Sequence, residues 1–185
     1  MLLAANIVIF ALLAVMLLFR SQPTSPLQEA RQELATLLSG SQTLASLNSA
    51  KDFPAPSIVA LFSKINTTCG AHQLIEQLRE WERSHPRLGV VIVLSSAFQE
   101  HDVRNLRENF GLPFAVTVAD QELQAGWTHL EERRSVRTLN GSLFLQVNGR
   151  LRPAASPRQL AAWLSEAGPN ENSKALSASW GAENR

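Results

Sequence analysis

One stretch of the chain joins a reactive side chain to a position that can activate it: FSKINTTCGAHQLIEQL, residues 62–78. Cys69 is the only cysteine among 185 residues. It falls between an apolar run read as a strand and an amphipathic segment read as a helix. At a helix N-terminus the unpaired N–H groups and the positive end of the dipole stabilise a thiolate and lower the thiol pKa. His72 follows three residues on, about one helical turn, so its ring can approach the sulfur. An imidazolium there favours the thiolate, and a neutral ring can take the thiol proton. Cys69 therefore reads as a candidate thiol nucleophile. His72 reads either as its tuning group or as a solvated residue at the helix start.

Few other chemistries are open. One cysteine excludes an internal disulfide and leaves the redox compartment unspecified. Cys69 and His72 alone do not make a closed zinc site, which needs about four donors, and His85, His101 and His129 show no ligand spacing. No cofactor or metal is expected. There is no G-x-S-x-G and no phosphate-cradling glycine loop. A net charge of +1 gives no basic field for nucleic acid. Trp81, Trp127 and Trp163 read as core or rim residues, and Trp180 belongs to a polar tail.

The elements that must position Cys69 follow from periodicity. SIVALFS (57–63) and LGVVIVLS (88–95) are continuous apolar runs, as expected of strands covered on both faces. Between them, residues 70–84 carry Leu74, Ile75, Leu78 and Trp81 on one helical face, and His85-Pro86 stops them. Residues 98–110 return to helical spacing, FAVTVA (114–119) is a third strand, and a short helical stretch follows from Asp120. SLFLQV and RLRPA around Asn148-Gly149 form a hairpin signal. A last helix opens at Ser156-Pro157. Upstream, Ser25 and Pro26 open a helix that Gly40 should terminate. That helix either packs on the domain or serves as a juxtamembrane spacer, and SQTLASLNSAKDFPAP reads as linker. The order β-α-β-α-β-α-β-β-α implies a mixed sheet with helices on both faces. Residues 168–185 are polar, aperiodic and expected to be disordered.

Residues 2–19, LLAANIVIFALLAVMLLF, carry no charge. Eighteen residues at about 1.5 Å each span roughly 27 Å, close to the hydrocarbon core of a bilayer. A cleaved signal peptide is the rival, but MLLAAN lacks a basic n-region and FRSQPTSP lacks a small-x-small cleavage site. The expected organisation is an anchor over 1–20, a juxtamembrane helix and linker over 21–52, a domain over 53–167 and a tail over 168–185. Arg20 and Arg31 follow the span with only the α-amino group before it; by the positive-inside rule these two charges lean to a cytoplasmic domain but leave the orientation open.

Strand, loop, Cys-Gly-x-x and amphipathic helix resembles the active-site unit of the thioredoxin superfamily. Over about residues 53–167 the chain is similar to its membrane-tethered, TlpA-like branch, which includes the MauD-type proteins of methylamine dehydrogenase maturation. Thr68-Cys69-Gly70-Ala71-His72-Gln73-Leu74 lies over the family's T/W-C-x-x-C and the helix after it. The resemblance puts Cys69 in the place of the nucleophilic cysteine and His72 in that of the resolving one, so a dithiol cycle within one chain is lost. The family's cis-proline before the terminal hairpin is also missing: VRTLNGSLFL has Asn140 and Gly141 there. In the family that loop faces the cysteines and aligns extended peptides. Peroxiredoxin-like sites need Thr or Ser three residues before the cysteine and a proline upstream, and Asn66 and Phe62 hold those places.

The resemblance implies a thioredoxin-like protein of the inner membrane, its domain on the periplasmic side. It would use Cys69 in thiol–disulfide exchange with a protein partner during maturation of an envelope protein. The alternative is a redox-inactive assembly or interaction module.

Overall fold

The computed structural model describes residues 25–49, 56–63, 69–147 and 149–166. The expected anchor over 2–19 and the expected tail over 168–185 lie outside them. No helix among the described residues is long and apolar enough to cross a membrane.

Strand β1 (Ser57–Phe62) is buried along its whole length. It pairs in parallel with β2 (Gly89–Leu94) on one side and antiparallel with β4 (Ser142–Val147) on the other. Strand β3 (Ala115–Val118) extends the sheet beyond β2, and β5 (Arg150–Ala154) extends it beyond β4, giving the order β3-β2-β1-β4-β5. The continuous apolar runs are explained by this placement: a central strand shows one set of side chains to each face. Ile58, Ala60 and Phe62 join Ile75, Leu78 and Trp81 of helix α3 (Cys69–Ser84) in one core. Val59 and Leu61 join a second core on the opposite face with Leu34 and Trp127. The expected mixed α/β sheet with helices on both faces is present.

Helix α1 (Pro26–Gly40) opens as anticipated, with Ser25 Oγ accepting the Gln28 N–H at 3.3 Å. Of the two roles left open for it, packing on the sheet is the one adopted. Ala30, Leu34, Ala35 and Leu38 are buried, at i, i+4, i+5 and i+8 of one face.

Two expectations fail here. Gly40 is the last helical residue rather than the stop beyond it, and residues 42–49 form helix α2 (Gln42–Ser49) rather than linker. Ser41 explains both. Its N–H and Oγ both donate to the Leu38 carbonyl, at 3.2 and 2.8 Å, closing α1. The same Oγ accepts the Leu44 N–H at 3.2 Å, opening α2.

After β2 comes helix α4 (Glu100–Phe110), closed by Gly111 at φ +54. Helix α5 (Gln121–Arg133) runs 13 residues, longer than the short stretch expected from Asp120. Asp120 caps it by accepting the Leu123 N–H at 2.7 Å, and Leu123, Trp127 and Leu130 sink one face into the second core. The hairpin pairs Val147 with Arg150, and Gly149 takes φ +74 at the turn, while Asn148 lies outside the described residues. Helix α6 (Pro157–Glu166) completes the first core with Leu160, Trp163 and Leu164. All three tryptophans of the domain are thus buried.

Candidate functional site

Strands β1 and β2 are parallel and in register, so Phe62 and Leu94 reach the same edge of the sheet together. Carboxyl ends of parallel strands are where open α/β sheets place their ligands. Strand β4 runs the other way, and its first residue, Ser142, sits opposite Leu61 at that edge. Helix α3 begins at Cys69, seven positions after Phe62. The backbone of Cys69 therefore stands at the positive end of a 16-residue helix. Its side chain, and with it the sulfur–imidazole distance, lies outside the described residues.

His72 is described, and it is exposed. Its ring lies against Phe110 at the end of α4, with centroids 5.8 Å apart and planes tilted by 44°. The remaining histidines gather no metal site. His85 Nδ1 is 3.0 Å from the Trp81 carbonyl oxygen, and His101 and His129 are exposed. No group of three or more metal-ligating side chains occurs among the described residues.

A polar cluster at the carboxyl edge was not anticipated as a unit. Ser63, directly after β1, donates its N–H to Asn140 Oδ1 at 2.8 Å. Its Oγ is 3.3 Å from Thr138 Oγ1, and Ser95, directly after β2, donates its hydroxyl to the Ser63 carbonyl at 3.0 Å. Beside them the Gly141 N–H donates to the Leu61 carbonyl at 2.6 Å, with Gly141 at φ +73. Asn140 and Gly141 drew notice in the sequence only as a missing proline. Ser63, Ser95 and Thr138 were missed. The available signal was that both central apolar runs end in serine.

The second core also reaches this edge. Asp120 follows β3, and its Oδ2 accepts both the N–H and the hydroxyl of Thr43, at 3.0 and 2.8 Å. With the Leu123 N–H as the largest cause, these donors hold the Asp120 carboxyl below its ordinary range, against a smaller opposing effect of burial. Next to it, Gln124 Oε1 accepts the Ser96 N–H at 3.0 Å.

No family model and no curated protein matches the chain. Solved structures do, and the neighbours are thioredoxin-like disulfide oxidoreductases. One is a thioredoxin-family thiol:disulfide interchange protein from Chlorobium tepidum, 18% identical, with a TM-score of 0.43 over 65% of this chain and 79% of that one. Another is a secreted Mycobacterium tuberculosis disulfide oxidoreductase homologous to E. coli DsbE, 13% identical, with a TM-score of 0.40 over 60% and 80%. A third is StoA from Bacillus subtilis, 16% identical, with a TM-score of 0.39 over 61% and 84%. At these values the architecture rests on its own strand order and register.

Proposed function

We propose that the chain is a membrane-anchored, thioredoxin-like protein that uses Cys69 as a single nucleophile in thiol–disulfide exchange. The observation that carries this reading is the position of Cys69. It is the first residue of helix α3, at the edge where the parallel strands β1 and β2 end. A thiol there is favoured as thiolate by the helix dipole and by free N–H groups.

The step balances within the two reactants. The Cys69 thiolate attacks one sulfur of a partner disulfide, forming a mixed disulfide while the partner's other sulfur leaves as thiolate. With no second cysteine in the chain, release needs a further thiol of the partner, which attacks the partner's sulfur in the mixed disulfide, closes a new disulfide within the partner and expels Cys69 as thiolate. In this reading residues 2–19 anchor the chain in the inner membrane, the domain is periplasmic, and the partner is an envelope protein under maturation, as for MauD-type proteins. Trapping tests it. The native chain in its membrane should yield a DTT-sensitive adduct that Cys69→Ser lacks, and identical patterns from the two would refute exchange at Cys69.

A second reading, a redox-inactive assembly module, is favoured by one observation. His72, which the resemblance puts in the place of a second thiol, has no sulfur to close a disulfide, and its exposed ring lies tilted against Phe110. In that case Cys69→Ala leaves function intact, while exchange of exposed residues abolishes it.

A further inference from the structure

Asn140 and Gly141 form a dipeptide with a chemistry of its own. The backbone nitrogen of the residue after an asparagine can attack the side-chain carboxamide and close a succinimide ring. Glycine in the second place hinders that attack least, since no Cβ stands beside the nitrogen. The fold treats the two reacting groups in opposite ways.

Asn140 is exposed, and its Oδ1 accepts the Ser63 N–H at 2.8 Å. That donor polarises the carboxamide and stabilises the charge that develops on its oxygen during attack. The nucleophile, by contrast, is withheld. The Gly141 N–H donates to the Leu61 carbonyl at 2.6 Å, one residue before Ser142 pairs with Leu61 across β4 and β1. Its neighbours are fixed too. The Asn140 N–H donates to Thr138 Oγ1 at 3.0 Å and the Leu139 N–H to Glu131 Oε1 at 2.5 Å, and Leu139 is buried in the second core. The Gly141 nitrogen must leave Leu61 before it can turn to Asn140 Cγ, whereas polarisation helps only once it arrives. Release of that one hydrogen bond therefore controls the rate.

We propose that Asn140-Gly141 is a latent self-modification site, kept unreacted by the Gly141–Leu61 hydrogen bond and deamidating when the β1–β4 edge opens. In the step the Gly141 nitrogen gives its proton to solvent base and bonds to Asn140 Cγ, and the side-chain nitrogen leaves as ammonia. Water then opens the ring. Breaking the new N–Cγ bond leaves aspartate at position 140, and breaking the original peptide C–N bond leaves isoaspartate. Aspartate keeps an acceptor for the Ser63 N–H. Isoaspartate lengthens the backbone at the entry to β4 and disturbs the register that sets Ser142 opposite Leu61. The modification thus records that this edge has opened, and it is independent of any role of Cys69.

The test follows deamidation of the full-length chain at mildly alkaline pH, folded and in urea, by fragment-ion sequencing of the tryptic peptide 138–150. That peptide also carries Asn148-Gly149, so both dipeptides are read together. In urea the two asparagines should deamidate at similar rates. In the folded chain Asn140 should deamidate at least about tenfold more slowly than in urea, the order of factor that one hydrogen bond of ordinary net strength supplies. Amide hydrogen exchange at Gly141, followed by NMR, should rise in step with deamidation of Asn140 as urea is added below the unfolding transition. Equal rates at Asn140 in the folded and urea-treated chains would overturn the proposal. A faster rate in the folded chain would overturn it as well, by showing that polarisation through Ser63 outweighs restraint of the nucleophile. Deamidation that stays constant while Gly141 exchange rises would remove the gating role of the Leu61 contact.

Discussion

Thr43 and Asp120 exchange hydrogen bonds in both directions. Asp120 Oδ2 accepts from the Thr43 N–H and hydroxyl, and the Asp120 N–H donates to Thr43 Oγ1 at 2.9 Å. Residues 77 positions apart are thereby joined at the start of α2 and the start of α5. The pair ties the N-terminal helices to the edge of the sheet that carries Cys69.

The pair gives stability a defined pH dependence. The folded Asp120 carboxyl titrates below its ordinary value of 3.8. A depressed folded pKa contributes stability that is full above the unfolded value and is lost as pH falls through the folded one. Acid titration of the unfolding midpoint should therefore show a loss beginning near the ordinary carboxylate range, and Asp120→Asn should flatten that part of the curve. At neutral pH Asp120→Ala should cost about 0.5–2 kcal/mol for the lost cap. An unchanged acid limb in the Asn variant would contradict the assignment.

Leu34 distinguishes a packed α1 from a spacer. It is fully buried in the second core, together with Val59 and Trp127. Leu34→Ala should lower unfolding free energy by about 2–5 kcal/mol in a denaturant titration. A loss well under about 1 kcal/mol would show that α1 stands away from the domain.

Charge adds less between the same helices. Glu33 pairs with Arg133 and Arg134, and Glu29 with Arg134, all between α1 and α5. These side chains are between 29% and 48% exposed, so solvent screens them. Glu33→Ala should cost below about 1 kcal/mol, and the difference from native should shrink in high salt. A larger, salt-independent loss would mean that the network is structurally required.

At Gly141 the backbone conformation, and not a lack of space, disfavours a side chain. At φ +73 an L-residue is strained, whereas the nearest atom to an added Cβ, Leu74 Cδ2, is at an ordinary 3.6 Å. Gly141→Ala should therefore cost about 1–2 kcal/mol from conformation alone. Thermal unfolding would show it, and a neutral result would mean that the loop relaxes.

How far the sequence was legible depended on the range of the interaction. Strands β1 and β2 were plain because a strand covered on both faces leaves an unbroken apolar run. The place of Cys69 was equally plain, being a junction between such a run and an amphipathic helix. The join of α1 to α2 was hidden because Gly40-Ser41 has the composition of a break, while Ser41 serves two helices at once. The Ser63–Asn140 contact was hidden for another reason. Its partners are 77 positions apart, and they meet only because Ser142 pairs with Leu61 in the register of β1 and β4.

The central claim is that Cys69 is a thiol activated for disulfide exchange. Its most direct measurement is the reaction of the full-length chain with glutathione disulfide at mildly acidic pH, followed by intact mass. One glutathione per chain should be added, removable by DTT, and faster than exchange by free glutathione, whose thiol is protonated under those conditions. No adduct, or a rate no greater than that of the free thiol, would contradict the account and leave the domain as a binding module.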